Sequence, residues 1–93
     1  MFIDTYGTLV ISDIDDAELA AITIKQTTQK WDGDIAVERC GLNTWPPGIQ
    51  AKGDLYIIGC QNLTHIPADL NVSGKLVIAD CESLGYDSQG DAA

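Results

Sequence analysis

Gly53-Asp54-Leu55-Tyr56-Ile57-Ile58-Gly59-Cys60 recurs as Gly33-Asp34-Ile35-Ala36-Val37-Glu38-Arg39-Cys40 and as Gly74-Lys75-Leu76-Val77-Ile78-Ala79-Asp80-Cys81. The three glycines are 20 and 21 residues apart, and a cysteine follows each after seven residues. Gly7 opens a degenerate fourth copy, with Leu9 and Ile11 in the two apolar positions and Ile14 where the cysteine would fall. Self-similarity at a period of about 20 residues is the pattern of units that bury their apolar edges by stacking on one another. The flanks repeat too. Leu42, Trp45-Pro46, Ile49 and Ala51 follow Cys40, as Leu63, Ile66-Pro67, Leu70 and Val72 follow Cys60.

Residues 33–84 resemble the leucine-rich repeat, in which alternating aliphatics are followed by an Asn or Cys and then by further aliphatics. The segment Leu55-x-Ile57-x-x-Cys60-x-x-Leu63 fits this best. Ile49-x-Ala51 and Leu70-x-Val72 depart from the family by alternating like a second strand where many members carry a helix. The expected fold is therefore α+β, a small β-rich solenoid of 20–21-residue coils with an N-terminal helix acting as a cap. One domain is expected over residues 1–86, with a strand and the capping helix in 1–32, the coils in 33–86 and a flexible acidic tail in 87–93.

The helix is read from Ser12-Asp13-Ile14-Asp15-Asp16-Ala17-Glu18, with Asp15 as N-cap and Glu18 completing a capping box. From about Asp16 to Lys30 it would carry Leu19, Ile22 and Gln26 along one face, with Ala17, Ala20, Ala21 and Ile24 beside it. The β-branched run Ile22-Thr23-Ile24 supports a competing strand over 21–25. In-register stacking would place the three cysteines in a buried column about 4.8 Å apart, where each thiol serves as a small apolar side chain. An odd cysteine count and a repeating core argue against disulfides. A fourth ligand for zinc is missing, since His65 belongs to another part of the coil.

Fourteen acids against five bases give a net charge of −9, chiefly because Lys and Arg are scarce. Such a surface repels nucleic acid and anionic membranes and favours a cationic partner. Duplex DNA of ~30 Å carries about 18 phosphate charges, so the chain reaches roughly half the bare charge of a DNA segment its own size. No stretch is apolar enough to span a membrane, and Met1-Phe2-Ile3-Asp4 lacks the basic start of a signal peptide, so a cytoplasmic location is expected. The acids near residue 15 lack the spacing of an EF-hand, and no nucleotide-binding or hydrolase motif occurs, so neither a cofactor nor an enzymatic activity is expected.

Binding remains. The outward residues of the strands are expected to be Thr8, Val10, Ser12; Asp34, Ala36, Glu38; Asp54, Tyr56, Ile58; and Lys75, Val77, Ala79, an apolar stripe with acids in its middle coils. Small size, acidity and the lack of catalytic motifs make the chain similar in character to acidic phage anti-CRISPR proteins. That resemblance implies a bacterial host cytoplasm and a basic nucleic-acid-binding partner, a CRISPR effector subunit whose DNA recognition is blocked, with no direct contact to nucleic acid or membrane. The candidate partner-binding residues are Asp13, Asp15, Asp16 and Glu18 at the helix start, then Asp34, Glu38 and Asp54 around Tyr56. The alternative is a leucine-rich-repeat-like module that binds protein through the apolar stripe.

Overall fold

The computed structural model describes residues 2–67, 69–84 and 88–90, and for Leu84 and Ser88–Gly90 the backbone alone. It is an α+β fold. A mixed sheet runs in the order β1-β2-β3-β5-β7-β8, from β1 (Phe2–Ile3), β2 (Leu9–Ser12), β3 (Ile35–Glu38), β5 (Leu55–Ile58), β7 (Leu76–Ala79) and β8 (Ser88–Gly90). A second sheet pairs β4 (Gln50–Ala51) with β6 (Asn71–Val72) in parallel, at the two alternating segments. An α-helix, α1 (Ala17–Lys30), connects β2 to β3, and a short 3-10 helix covers Glu82–Leu84.

The repeat fixes the register. Leu9, Ile35, Leu55 and Leu76 are lateral partners, and so are Ile11, Val37, Ile57 and Ile78. The degenerate copy at Gly7 is thus a true member of the row. Because alternate side chains face opposite sides of a strand, both sets point inward, and all but Leu9 are buried. Ile49 and Ala51 of the return segment close the same core, together with Leu42, Leu63 and Trp45.

The turn after each long strand is also repeated. Asp13, Arg39, Gly59 and Asp80 directly follow β2, β3, β5 and β7, and all four have positive φ (59°, 52°, 70° and 56°). The ladder runs on into this turn, with the N–H groups of Asp13, Arg39 and Gly59 donating to the carbonyls of Glu38, Ile58 and Ala79. The left-handed residue swings the chain so that the next side chain, Ile14 or a cysteine, enters the interior. Leaving glycine out of such a position costs about 1–2 kcal/mol, least for Asp.

The helix is real, and the competing strand at 21–25 is not formed. Its N-cap is Asp16, not Asp15. The Asp16 carboxylate accepts from the N–H groups of Glu18 and Leu19, so Glu18 lies two residues past the cap and cannot complete a capping box. The inward face also differs from the expected one. Ala20, Ile24 and Thr28 are buried, whereas Leu19 and Ile22 are 55% and 53% exposed. Small residues win that face because the helix lies close beside β4, as the return limb of the β2-to-β3 connection. The outer edge of β2 is covered by antiparallel β1, not by the helix.

Ser88–Gly90, expected to be part of a loose tail, pair antiparallel with β7. The remainder of that tail lies outside the described residues. His65 forms a parallel bridge with Thr44.

Candidate functional site

Two rows of acids flank the long strands, and they have different duties. At the strand starts, Asp34 accepts the N–H of Asp54 at 2.8 Å, and Asp54 accepts the N–H of Lys75 at 2.8 Å. Each carboxylate ties its own repeat to the next. Asp4 does the same locally, accepting from Tyr6 and Thr8. The contact demands glycine. A Cβ on Gly53 would stand 2.5 Å from Asp34 Oδ1, and one on Gly74 would stand 2.1 Å from Asp54 Oδ1. The Gly-Asp pair in the repeat is therefore a structural ladder, which explains Asp34 and Asp54 without reference to a partner. Tyr56 is half-buried and its hydroxyl donates to Asp54 Oδ2 at 3.3 Å. Burial first, then the Asp54 carboxylate, raises its phenol above the ordinary range.

The strand ends hold the other row. Asp13, Asp15, Asp16, Glu18, Glu38, Asp80 and Glu82 gather at or beyond the carboxyl ends of β2, β3 and β7, with Arg39 as the base of that corner. Half of the chain's 14 acids but one of its five bases sit there. Arg39 binds Asp13 in a bidentate pair, Nε to Oδ1 at 2.8 Å and Nη2 to Oδ2 at 3.1 Å, and reaches Glu38 at 3.4 Å. That hydrogen bond holds the Asp13 carboxyl below the usual carboxylate range. Asp16 is occupied as the helix cap. Among the described residues, Asp15, Glu18, Asp80 and Glu82 are exposed with no side-chain partner. A groove of about 630 Å³ crosses this corner, lined by Asp15, Arg39, Cys40, Gly59, Asp80 and Glu82 among others.

Of the expected group around Tyr56, Asp34 and Asp54 lie at its end of the strands, and Asp54 accepts its hydroxyl, but Glu38 does not belong with them. Asp34 precedes β3 and Glu38 ends it, so four residues of extended chain, about 13 Å at ~3.3 Å each, separate them. That exceeds the Debye length of about 8 Å. Arg39 instead joins Asp13 of the helix-start group to Glu38, and the groove connects Asp15 with Asp80 and Glu82. The last two were missed by sequence reasoning, although Asp80 occupies the pre-cysteine position already held by Arg39 and Gly59. The apolar stripe is in part self-covered. Phe2, Val10, Ala36, Tyr56 and Val77 form one lateral row, but Val10 and Ala36 are only 3% and 5% exposed.

The cysteines form the expected column. All three are buried and outside any disulfide. Cys40 Sγ lies 3.8 Å from Ile11 O, Cys60 4.0 Å from Val37 O and Cys81 3.7 Å from Ile57 O. Burial pushes the Cys60 thiol up to about 11. Among the described residues, no group of three or more His, Cys, Asp or Glu side chains converges as a metal cage would require. Among the described residues, no helix is long and apolar enough to cross a membrane.

Neither a protein-family model, a curated protein nor a solved structure matches this chain.

Proposed function

We propose that the chain is a leucine-rich-repeat-like β-solenoid that acts, without catalysis, as an acidic inhibitor, binding a basic nucleic-acid-binding protein and covering the surface that would take up DNA. The observation that carries this reading is the segregation of charge: seven acids and one base at the strand-end corner. Four of those carboxylates are exposed and have no side-chain partner among the described residues, so their field reaches the solvent. The fold is 29 Å in its long dimension, a length at which duplex DNA presents about 17 phosphates. A net charge of −9 over such a body competes for a basic groove by the same electrostatics. The specific case implied by the resemblance to acidic anti-CRISPR proteins is a CRISPR effector complex in a bacterial cytoplasm. Partial burial of the apolar stripe favours this reading over an apolar docking face.

The test is competition. The protein should displace target duplex from a purified effector complex, and displacement should weaken steeply as salt rises. Asp15, Glu18, Asp80 and Glu82 changed together to Lys should abolish it. Reversal at Asp34 and Asp54 is unsuitable, because it removes the ladder and so tests folding. Retained displacement by the folded quadruple variant, or displacement insensitive to salt, would reject the acidic corner.

A further inference from the structure

One row of the core runs out into solvent. Leu55 and Ile35 are fully buried, their lateral partner Leu9 is half-buried, and Ile3, which pairs with Leu9 from β1 and so faces the same side of the sheet, is 55% exposed. β1 is the last strand on that side, so one edge of its backbone has no strand beside it among the described residues. The return layer ends at the same place. α1 packs beside β4, which β6 flanks in turn, and the helix face turned away from buried Ala20 and Ile24 carries Leu19 and Ile22. The large apolar side chains that are exposed among the described residues, Phe2, Ile3, Tyr6, Leu19 and Ile22, thus all belong to this first layer. Terminal repeats of a stack are ordinarily polar on their outer face, and this one is not.

We propose that this end of the stack is the interface for a second copy of the chain, related by a twofold axis perpendicular to the sheet. Such an axis sets β1 antiparallel to the β1 of the second copy, which pairs both open edges and continues the sheet. The same rotation lays the two helices antiparallel, with Leu19 and Ile22 facing their counterparts. Two observations select a copy over an unrelated protein. A twofold contact needs a surface that complements itself, and an edge strand with an apolar helix face beside it does so. The helix also carries Asp16 and Glu18 at its start and Lys25 and Lys30 in its second half, so antiparallel neighbours bring the acids of each alongside the lysines of the other. The exposed apolar side chains offer on the order of 500 Å² per copy, and the strand backbone and helix flanks bring the contact toward the ~800 Å² per partner of a standard interface. Asp80, at the end of β7, lies on the far side of the sheet from β1, so the contact leaves it open to a basic partner.

Sedimentation equilibrium on the whole chain is the test. The protein should sediment at twice its 10.0 kDa chain mass and go no further, since a twofold contact closes at two whereas head-to-tail stacking runs on into filaments. Leu19→Glu with Ile22→Glu, and separately Leu19→Lys with Ile22→Lys, should each weaken the dimer by more than about 100-fold, because like charges would face one another. Both positions are exposed, so circular dichroism and Tm should match the parent. Mixed in equal amounts, the acidic and basic variants should recover a 1:1 dimer, which only face-to-face helices allow. Should the charged variants fold poorly, Ile22→Cys adds one exposed thiol to three buried ones, and a short bismaleimide should join two such chains. Monomer alone at ~1 mM chain, which would leave this end to another protein or to solvent, would overturn the assignment. So would a mass that keeps rising with concentration, charged variants that stay dimeric alone or fail to pair when mixed, or an Ile22→Cys dimer that the linker does not join.

Discussion

Asp54→Ala is predicted to destabilise the protein by roughly 1–3 kcal/mol, a hydrogen bond to a charged group being worth about 1.5–3 kcal/mol. The change removes the acceptor for the Lys75 N–H at 2.8 Å and for the Tyr56 hydroxyl at 3.3 Å. Lys75 is exposed, so water can satisfy its N–H in the variant and the loss belongs toward the lower half of that range. For a domain of this size, 1 kcal/mol corresponds to about 4–8 °C in Tm. A fall of about 5–15 °C is therefore expected. Asp54→Asn keeps a side-chain oxygen beside the Lys75 N–H, but it gives up the charge, which makes that bond about half as strong, and puts an NH2 donor where Oδ2 accepted the Tyr56 hydroxyl. It should recover roughly half of the lost stability. Urea denaturation followed by circular dichroism measures both variants, with an unchanged m-value confirming that the same surface is exposed on unfolding. If Ala is as stable as the parent, or if Asn is as damaging as Ala, the carboxylate does not connect the coils as described.

Gly41→Ala would place a Cβ 2.0 Å from the backbone oxygen of Asp15, and because neither backbone can yield locally the cost should reach about 3 kcal/mol or more, read as reduced folded yield and Tm. Gly59→Ala keeps a φ of +70° and should lose only about 1–2 kcal/mol in the same assay. Asp16→Ala should lose about 1 kcal/mol as the N-cap is removed, while Asp15→Ala should leave urea stability within about 0.5 kcal/mol of the parent. The Cys60 thiol, raised by burial from 9.0 to about 11, makes stability fall with alkali. Below the ordinary thiol range both states hold the proton; between pH ~9 and ~11 the unfolded chain loses it first, so stability declines by about 2–3 kcal/mol over that window. Cys60→Ala should flatten the decline in urea titrations across that range.

Most of the register was legible in the sequence because the side-chain period of a strand is two and a one-residue slip would turn every aliphatic outward. Leu55 and Ile57 therefore had to align with Ile35 and Val37, and the cysteine column followed. The helix was legible in extent but not in orientation. Leu19 and Ile22 are its largest apolar residues near the start, yet close approach to β4 selects Ala20 and Ile24, a choice made by the neighbour and not by the helix. The duties of the aspartates were hidden for a related reason. Nothing local in Gly53-Asp54 announces that its carboxylate reaches the N–H of Lys75, 21 residues on. The signal was present only in the repeat itself, where Asp follows Gly in two successive copies and glycine leaves room for the oxygen of the preceding coil.

That division of labour separates charge that serves the fold from charge that faces outward. Asp34 and Asp54 are bound to backbone, Asp16 to the helix start and Asp13 to Arg39. Each has a partner that explains its presence at its position. Asp15, Glu18, Asp80 and Glu82 have none among the described residues, and Asp15, Asp80 and Glu82 line the groove. Carboxylates of like sign on one side of a fold repel one another, a repulsion that a cationic surface docking on the corner would relieve. The same quadruple change to Lys that should abolish binding would replace four negative charges by four positive ones around Arg39. Neutral Asn and Gln at these positions are the better probe of stability, and they should leave the free protein as stable as the parent or slightly more so, while weakening its hold on a basic partner.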